Sequence, residues 1–120
     1  MEYRYQSEKL SAARRSLMLP HSSGEALSIA DALHNCQMAF HRLEDSRLDD
    51  NEARLVRKIK TFMDTSELDD PNGEGTYVVK ARALSNAQKL DLTNSIDELA
   101  SSFNLKFWQD DKGQTEPAIV

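Results

Sequence analysis

Five apolar residues, Ile29, Leu33, Cys36, Phe40 and Leu43, recur at steps of four, three, four and three. That rhythm matches the turn of an α-helix and places all five on one face. A second stripe follows with Leu48, Leu55, Ile59 and Phe62, and a third comes later with Leu92, Ile96, Leu99 and Phe103. An amphipathic helix is stable when its apolar stripe is covered, and several in one short chain can cover one another. The expected fold is mainly α, a small antiparallel bundle of three to four helices.

Local signals give the boundaries. The first helix is expected from about Glu2 to Leu19, with Leu10, Ala13 and Leu17 on its apolar line and Pro20 ending it. Ser22 and Glu25 have the spacing of a capping box, in which each side chain satisfies a free backbone N–H. The helix they open should reach about Ser46. Asp49 and Glu52 repeat the arrangement and open a third helix, expected from Asp50 to Asp64. No strict breaker separates Ser46 from Asp50, so the alternative is one continuous helix. With a break, the short connection makes the second and third helices antiparallel neighbours.

Glu67 to Gly75 reads as a loop, because Pro71, Asn72, Gly73 and Gly75 supply turn chemistry and the acids keep it solvated. In Thr76–Arg82 the β-branched and aromatic content favours a short strand, although Tyr77, Ala81, Leu84 and Gln88 also fit a helical face. Ser85 and Gln88 form a further capping box for a helix from Asn86 to Phe103, with Asn104 as a left-handed C-cap. Leu105–Gln109 alternates apolar and polar residues and reads as a second short strand, able to pair with the first. Residues 1–109 are thus expected to form a single helical domain, with two short strands near the C-terminal helix, and 110–120 a flexible tail.

Composition narrows the function. At 120 residues with 39% hydrophobic and 29% charged side chains, the chain suits one soluble domain. Its net charge of −5 disfavours a phosphate backbone as default partner. The single cysteine, Cys36, excludes an intramolecular disulfide and falls on an apolar stripe, where a buried small hydrophobe is the simpler reading than a reactive thiol. No run approaches the ~20 apolar residues of a membrane span, and the polar start Met1–Tyr5 lacks a signal-peptide core, so a cytoplasmic location is expected.

Few constellations suggest chemistry. His34 and His41 lie seven residues apart on the second helix, roughly 10 Å along its axis, too far to chelate one ion unaided. Asp31 precedes His34 by three residues and approximates one half of a carboxylate-bridged metal motif; a metal-binding bundle would need acids from another helix. Local ion pairing of solvated histidines is the plainer alternative. In the stretch His41-Arg42-Leu43-Glu44-Asp45-Ser46, three positions, His41, Leu43 and Ser46, are similar to the local pattern of histidine phosphotransfer domains, which are four-helix bundles of about this size. That resemblance implies phosphotransfer through an exposed His41 in mid-helix. The chain departs from the pattern at Glu44 and Asp45, where carboxylates replace a lysine and a glycine and would repel a phosphohistidine.

The acidic loop does not fit an EF-hand. With Gly73 at the sixth position, the first and twelfth positions fall on Leu68 and Val79, neither of which can ligate calcium. No phosphate-cradling glycine loop, nucleophile elbow, Cys-x-x-Cys or His-Glu-x-x-His occurs.

Interaction is what remains. Arg54, Arg57 and Lys58, with Arg47 and Lys60 nearby, concentrate positive charge around the third helix. A solvated face balanced by neighbouring acids is the first reading, a contact for an acidic protein the second and DNA the third. Phe107 and Trp108 lie outside the main stripes; they either pack on the bundle end or serve as binding anchors. The function expected is a small cytoplasmic protein–protein interaction module, a regulator, adaptor, chaperone or inhibitor without catalysis. Its expected contact residues are Arg54, Arg57, Lys58, Phe107 and Trp108. No cofactor, nucleic acid or membrane partner is expected, and an apolar groove would also admit a second copy of the chain.

Overall fold

The computed structural model describes residues 4–18, 24–41, 43, 48–70, 73 and 75–115, and for 107–115 it describes the backbone alone. Among the described residues the chain forms five helices and no strand: α1 (Arg4–Met18), α2 (Glu25–His41), α3 (Asp50–Met63), α4 (Thr76–Ala83) and α5 (Asn86–Thr115). The three apolar stripes are the buried faces of α2, α3 and α5. Leu33, Cys36, Ile59, Leu92, Ile96, Leu99 and Phe103 are fully buried in one cluster, joined by Leu10 and Ala13 of α1 and Ala81 of α4.

The break between α2 and α3 is real. Asp49 has an extended backbone, and its carboxylate accepts from the Glu52 N–H at 2.7 Å. Glu52 Oε1 in turn accepts from the Asp49 N–H at 3.0 Å, which completes the expected capping box. The Ser85–Gln88 box is also formed, with bonds of 2.8 and 3.1 Å. Ser22 lies outside the described residues.

Several expectations are corrected. Thr76–Arg82 is helical, not a strand. Val78 and Ala81 are buried and Tyr77 packs on the core, and the Tyr77 hydroxyl donates to Gln37 of α2 at 3.1 Å. Docking of that face outweighs the β-propensity of its residues. Leu105–Gln109 is likewise helical, because nothing between Phe103 and Thr115 interrupts the backbone hydrogen-bond series. Asn104 is therefore not a left-handed cap: it lies inside α5, and among the described residues none but glycine has positive φ. Among the described residues the helices number five, where three to four were expected. Residues 110–115 of the expected tail continue α5, and 116–120 lie outside the described residues.

α5 is the strut of the fold. Its 30 residues span roughly 45 Å at 1.5 Å per residue. α1 lies against it in reverse order, with Ser7 meeting Asn104 and Arg14 meeting Asp97. α3 does the same on its own side, with Glu52 meeting Ser102 and Lys58 meeting Asp91. α1 also packs along α2, and α2 carries α4; α3 touches α2 only slightly, so the expected pairing of these neighbours is not the main one. Between α3 and α4 the chain turns through Asp70, which accepts from the Gly75 N–H at 2.7 Å. Gly75, with φ +101°, is the N-cap of α4, a backbone conformation that favours glycine.

Candidate functional site

His34 and His41 are both exposed on α2, and among the described residues no three His, Cys, Asp or Glu side chains converge on one point. His41 is the last residue of α2, not a mid-helix position of the kind phosphotransfer calls for. Asp70 of the acidic loop is engaged in the turn before α4. Asp64 accepts from the hydroxyl and the N–H of Ser66, and these bonds hold its carboxyl below the usual carboxylate range. Cys36 is fully buried, and burial pushes its thiol up to about 12. It is a small hydrophobe, as its stripe position indicated, and unsuited to nucleophilic work at neutral pH.

Two basic residues of α3 face acids of α5. Lys58 reaches Asp91 at 2.8 Å, and Arg54 donates to Asn51 at 2.7 Å with Glu98 3.9 Å away. Arg57 is exposed. Arg54 and Lys58 thus lie beside acidic side chains of α5. The side chains of Phe107 and Trp108 lie outside the described residues; their backbone belongs to α5.

Two features emerge that the sequence reading did not single out. The first is a groove of about 230 Å³ between the end of α1 and the middle of α5, lined among the described residues by Arg14, Leu17, Met18, Thr93, Asn94 and Asp97. The helices place these residues by simple periodicity. Leu17 continues the Leu10–Ala13 line and packs on the core, and Met18 turns outward with 70% of its surface exposed. Arg14 and Asp97 face each other at 3.4 Å. At that volume the groove admits one or two side chains, below the usual size of a small-molecule pocket.

The second feature is a polar layer on both sides of α5. Toward α1, Ser7 donates to Asn104, and Asn104 donates to Ser11 at 3.3 Å. Toward α3, the fully buried Glu52 accepts from Ser102 and Lys106. Lys106 keeps a quarter of its side chain exposed and lies 5.9 Å from the centre of the Phe103 ring. Gln6 is also buried, and its Oε1 has no hydrogen-bond partner among the described residues. The trace of this layer in the sequence is the polar Gln6 at the head of the Leu10–Ala13–Leu17 line, and a Ser–Lys pair four apart around Phe103. Polar residues on a helix seam restrict which register can form, since other alignments leave them dry and unpaired.

Comparison with protein-family models, curated proteins and solved structures finds no match for this chain.

Proposed function

We propose that this chain is a small protein–protein interaction module, acting in the cytoplasm as a regulator, adaptor, chaperone or inhibitor without catalysis of its own. Its frame in this reading is an antiparallel helical bundle, a view supported by the reverse order in which α1 and α3 meet α5. The observation that carries the reading is Met18, 70% exposed on the rim of the α1–α5 groove. Single exposed apolar residues are ordinary on protein surfaces. Met18 differs in adjoining a concavity with Leu17 beside it and the Arg14–Asp97 pair on its edge. An apolar floor with a charged rim is how helical partners are commonly seated, and the flexible methionine adapts to their side chains. The net charge of −5 favours a protein over a nucleic acid as the partner. Among the described residues no helix is long and apolar enough to cross a membrane.

Affinity capture with the tagged chain tests this, with the Met18→Asp variant in parallel. One protein retained in stoichiometric amount by the native chain, and lost by a variant of unchanged helical circular dichroism, is the expected result. Equal retention by both, or retention of nothing, would overturn the groove as the interaction site. Sedimentation of the purified chain distinguishes a second copy from a different partner.

A further inference from the structure

We propose that α3 is a releasable flap that leaves α5 as one unit, and that the buried Glu52 carboxylate is its latch. The proposal is independent of the groove, which lies on the α1 side of α5.

The packing sets α3 apart. It is held chiefly by α5, whereas α1 packs along both α2 and α5, and α4 is carried by α2. Departure of α3 therefore leaves the principal contacts of the other helices in place. Its two ends suit a hinge. Asp49 before it is extended, and residues 64–70 after it are irregular around one turn at 66–67, with Leu68 N–H donating to Thr65 and Ser66 N–H to Asp64.

The polar links between α3 and α5 are of two kinds. Asn51–Glu98 at 2.9 Å, Arg54–Glu98 at 3.9 Å and Lys58–Asp91 at 2.8 Å are open to water, and such links contribute little. Glu52 is fully buried. One of its donors, the Asp49 N–H, is local to α3, and the other two, Ser102 and Lys106, belong to α5. A dry carboxylate is tolerated only with its partners in place. When α3 leaves, the carboxylate regains water and keeps its capping bond, so the released helix retains its start. When α3 returns, any register but this one strands the charge. The docked state is thus all-or-none, and its release uncovers the apolar face of Leu55, Ile59 and Phe62. Segments of this kind open as cooperative units below the global unfolding free energy.

Hydrogen exchange on the full chain tests the proposal. In the native chain, α3 amides should exchange together and faster than those of α1, α2 and the Leu92–Phe103 stretch of α5. Lys106→Met should speed α3 exchange at least about tenfold and leave α1 and α2 unchanged, since it strands the carboxylate. Adding Glu52→Gln to that variant should slow it again toward the native rate, which lost packing of the lysine stem would not do. Ser102→Ala removes one donor without removing a charge; it should raise α3 exchange selectively, and it carries the variant test if Lys106→Met does not fold. Uniform exchange of α3 with α1 and α2 in the native chain would overturn the proposal. So would a double variant as fast as Lys106→Met alone, or a Ser102→Ala effect spread evenly over all helices.

Discussion

Ser7 of α1, 6% exposed, donates its hydroxyl to the side-chain carbonyl of Asn104, a residue 97 positions later on α5. The bond fixes the register of the two helices at the level where their seam turns from apolar to polar. Asn104→Ala leaves a buried hydroxyl without its acceptor, and about 1–3 kcal/mol of stability should be lost. Ser7→Ala combined with Asn104→Ala removes both partners, and the pair should cost less than the sum of the single changes. Urea unfolding of the two single variants and the double variant measures the coupling, and strict additivity would show that the bond is not formed.

Burial keeps the Cys36 thiol protonated up to about 12, whereas a solvated thiol ionises near ~8.5. Above the unfolded value the unfolded chain binds fewer protons than the folded one. Stability should therefore fall as pH rises through the interval from the unfolded value toward the folded one, by up to about 1.4 kcal/mol per pH unit from this group. Below the unfolded value its contribution is constant. Burial also raises the Tyr77 hydroxyl, so the quantity to compare is the slope of stability against pH for the native chain and for Cys36→Ala. The variant should show the shallower slope, whatever stability it loses to the smaller side chain. The native thiol should also resist labelling by thiol reagents at neutral pH until the chain unfolds.

Asp49 closes the start of α3 through two reciprocal bonds with Glu52. Asp49→Ala should cost about 1 kcal/mol by leaving an N–H of the first turn unsatisfied, and Asp49→Ser should recover most of it. Denaturant midpoints of the two variants test the order. No loss on Asp49→Ala would mean that the cap is dispensable once α3 is docked, and equal losses that a serine hydroxyl does not replace the carboxylate.

The stripes through Ile29–Phe40, Leu55–Phe62 and Leu92–Phe103 could be read because a 3.6-residue period is a local property of the chain, and the Asp49 and Ser85 boxes for the same reason. What could not be read depends on residues distant in sequence. Thr76–Arg82 carries β-branched residues that favour a strand when judged alone; its burial against α2 makes it a helix. Asn104 has the chemistry of a helix terminator, and the structure uses its amide for Ser7 and Ser11 instead. Glu52 was recognisable as a capping residue, but its burial depends on Lys106, 54 positions away. The α1–α5 groove was hidden similarly: Leu17 was visible as an apolar position, and which side of Met18 faces water is settled only by where α5 lies.

The order of the helices along the chain has a consequence for how the protein is made. α5 comes after α1 and α3, yet both rest against it. During vectorial synthesis α1 and α2 can pair as soon as they emerge, because their contacts are with each other. α3 emerges with its apolar face largely uncovered and stays so until the forty residues from Asp64 through Phe103 have been added, at about 5–20 residues per second. For those seconds the nascent chain presents Leu55, Ile59 and Phe62 to whatever surrounds the ribosome, while the capping box at Asp49 needs nothing still to be translated.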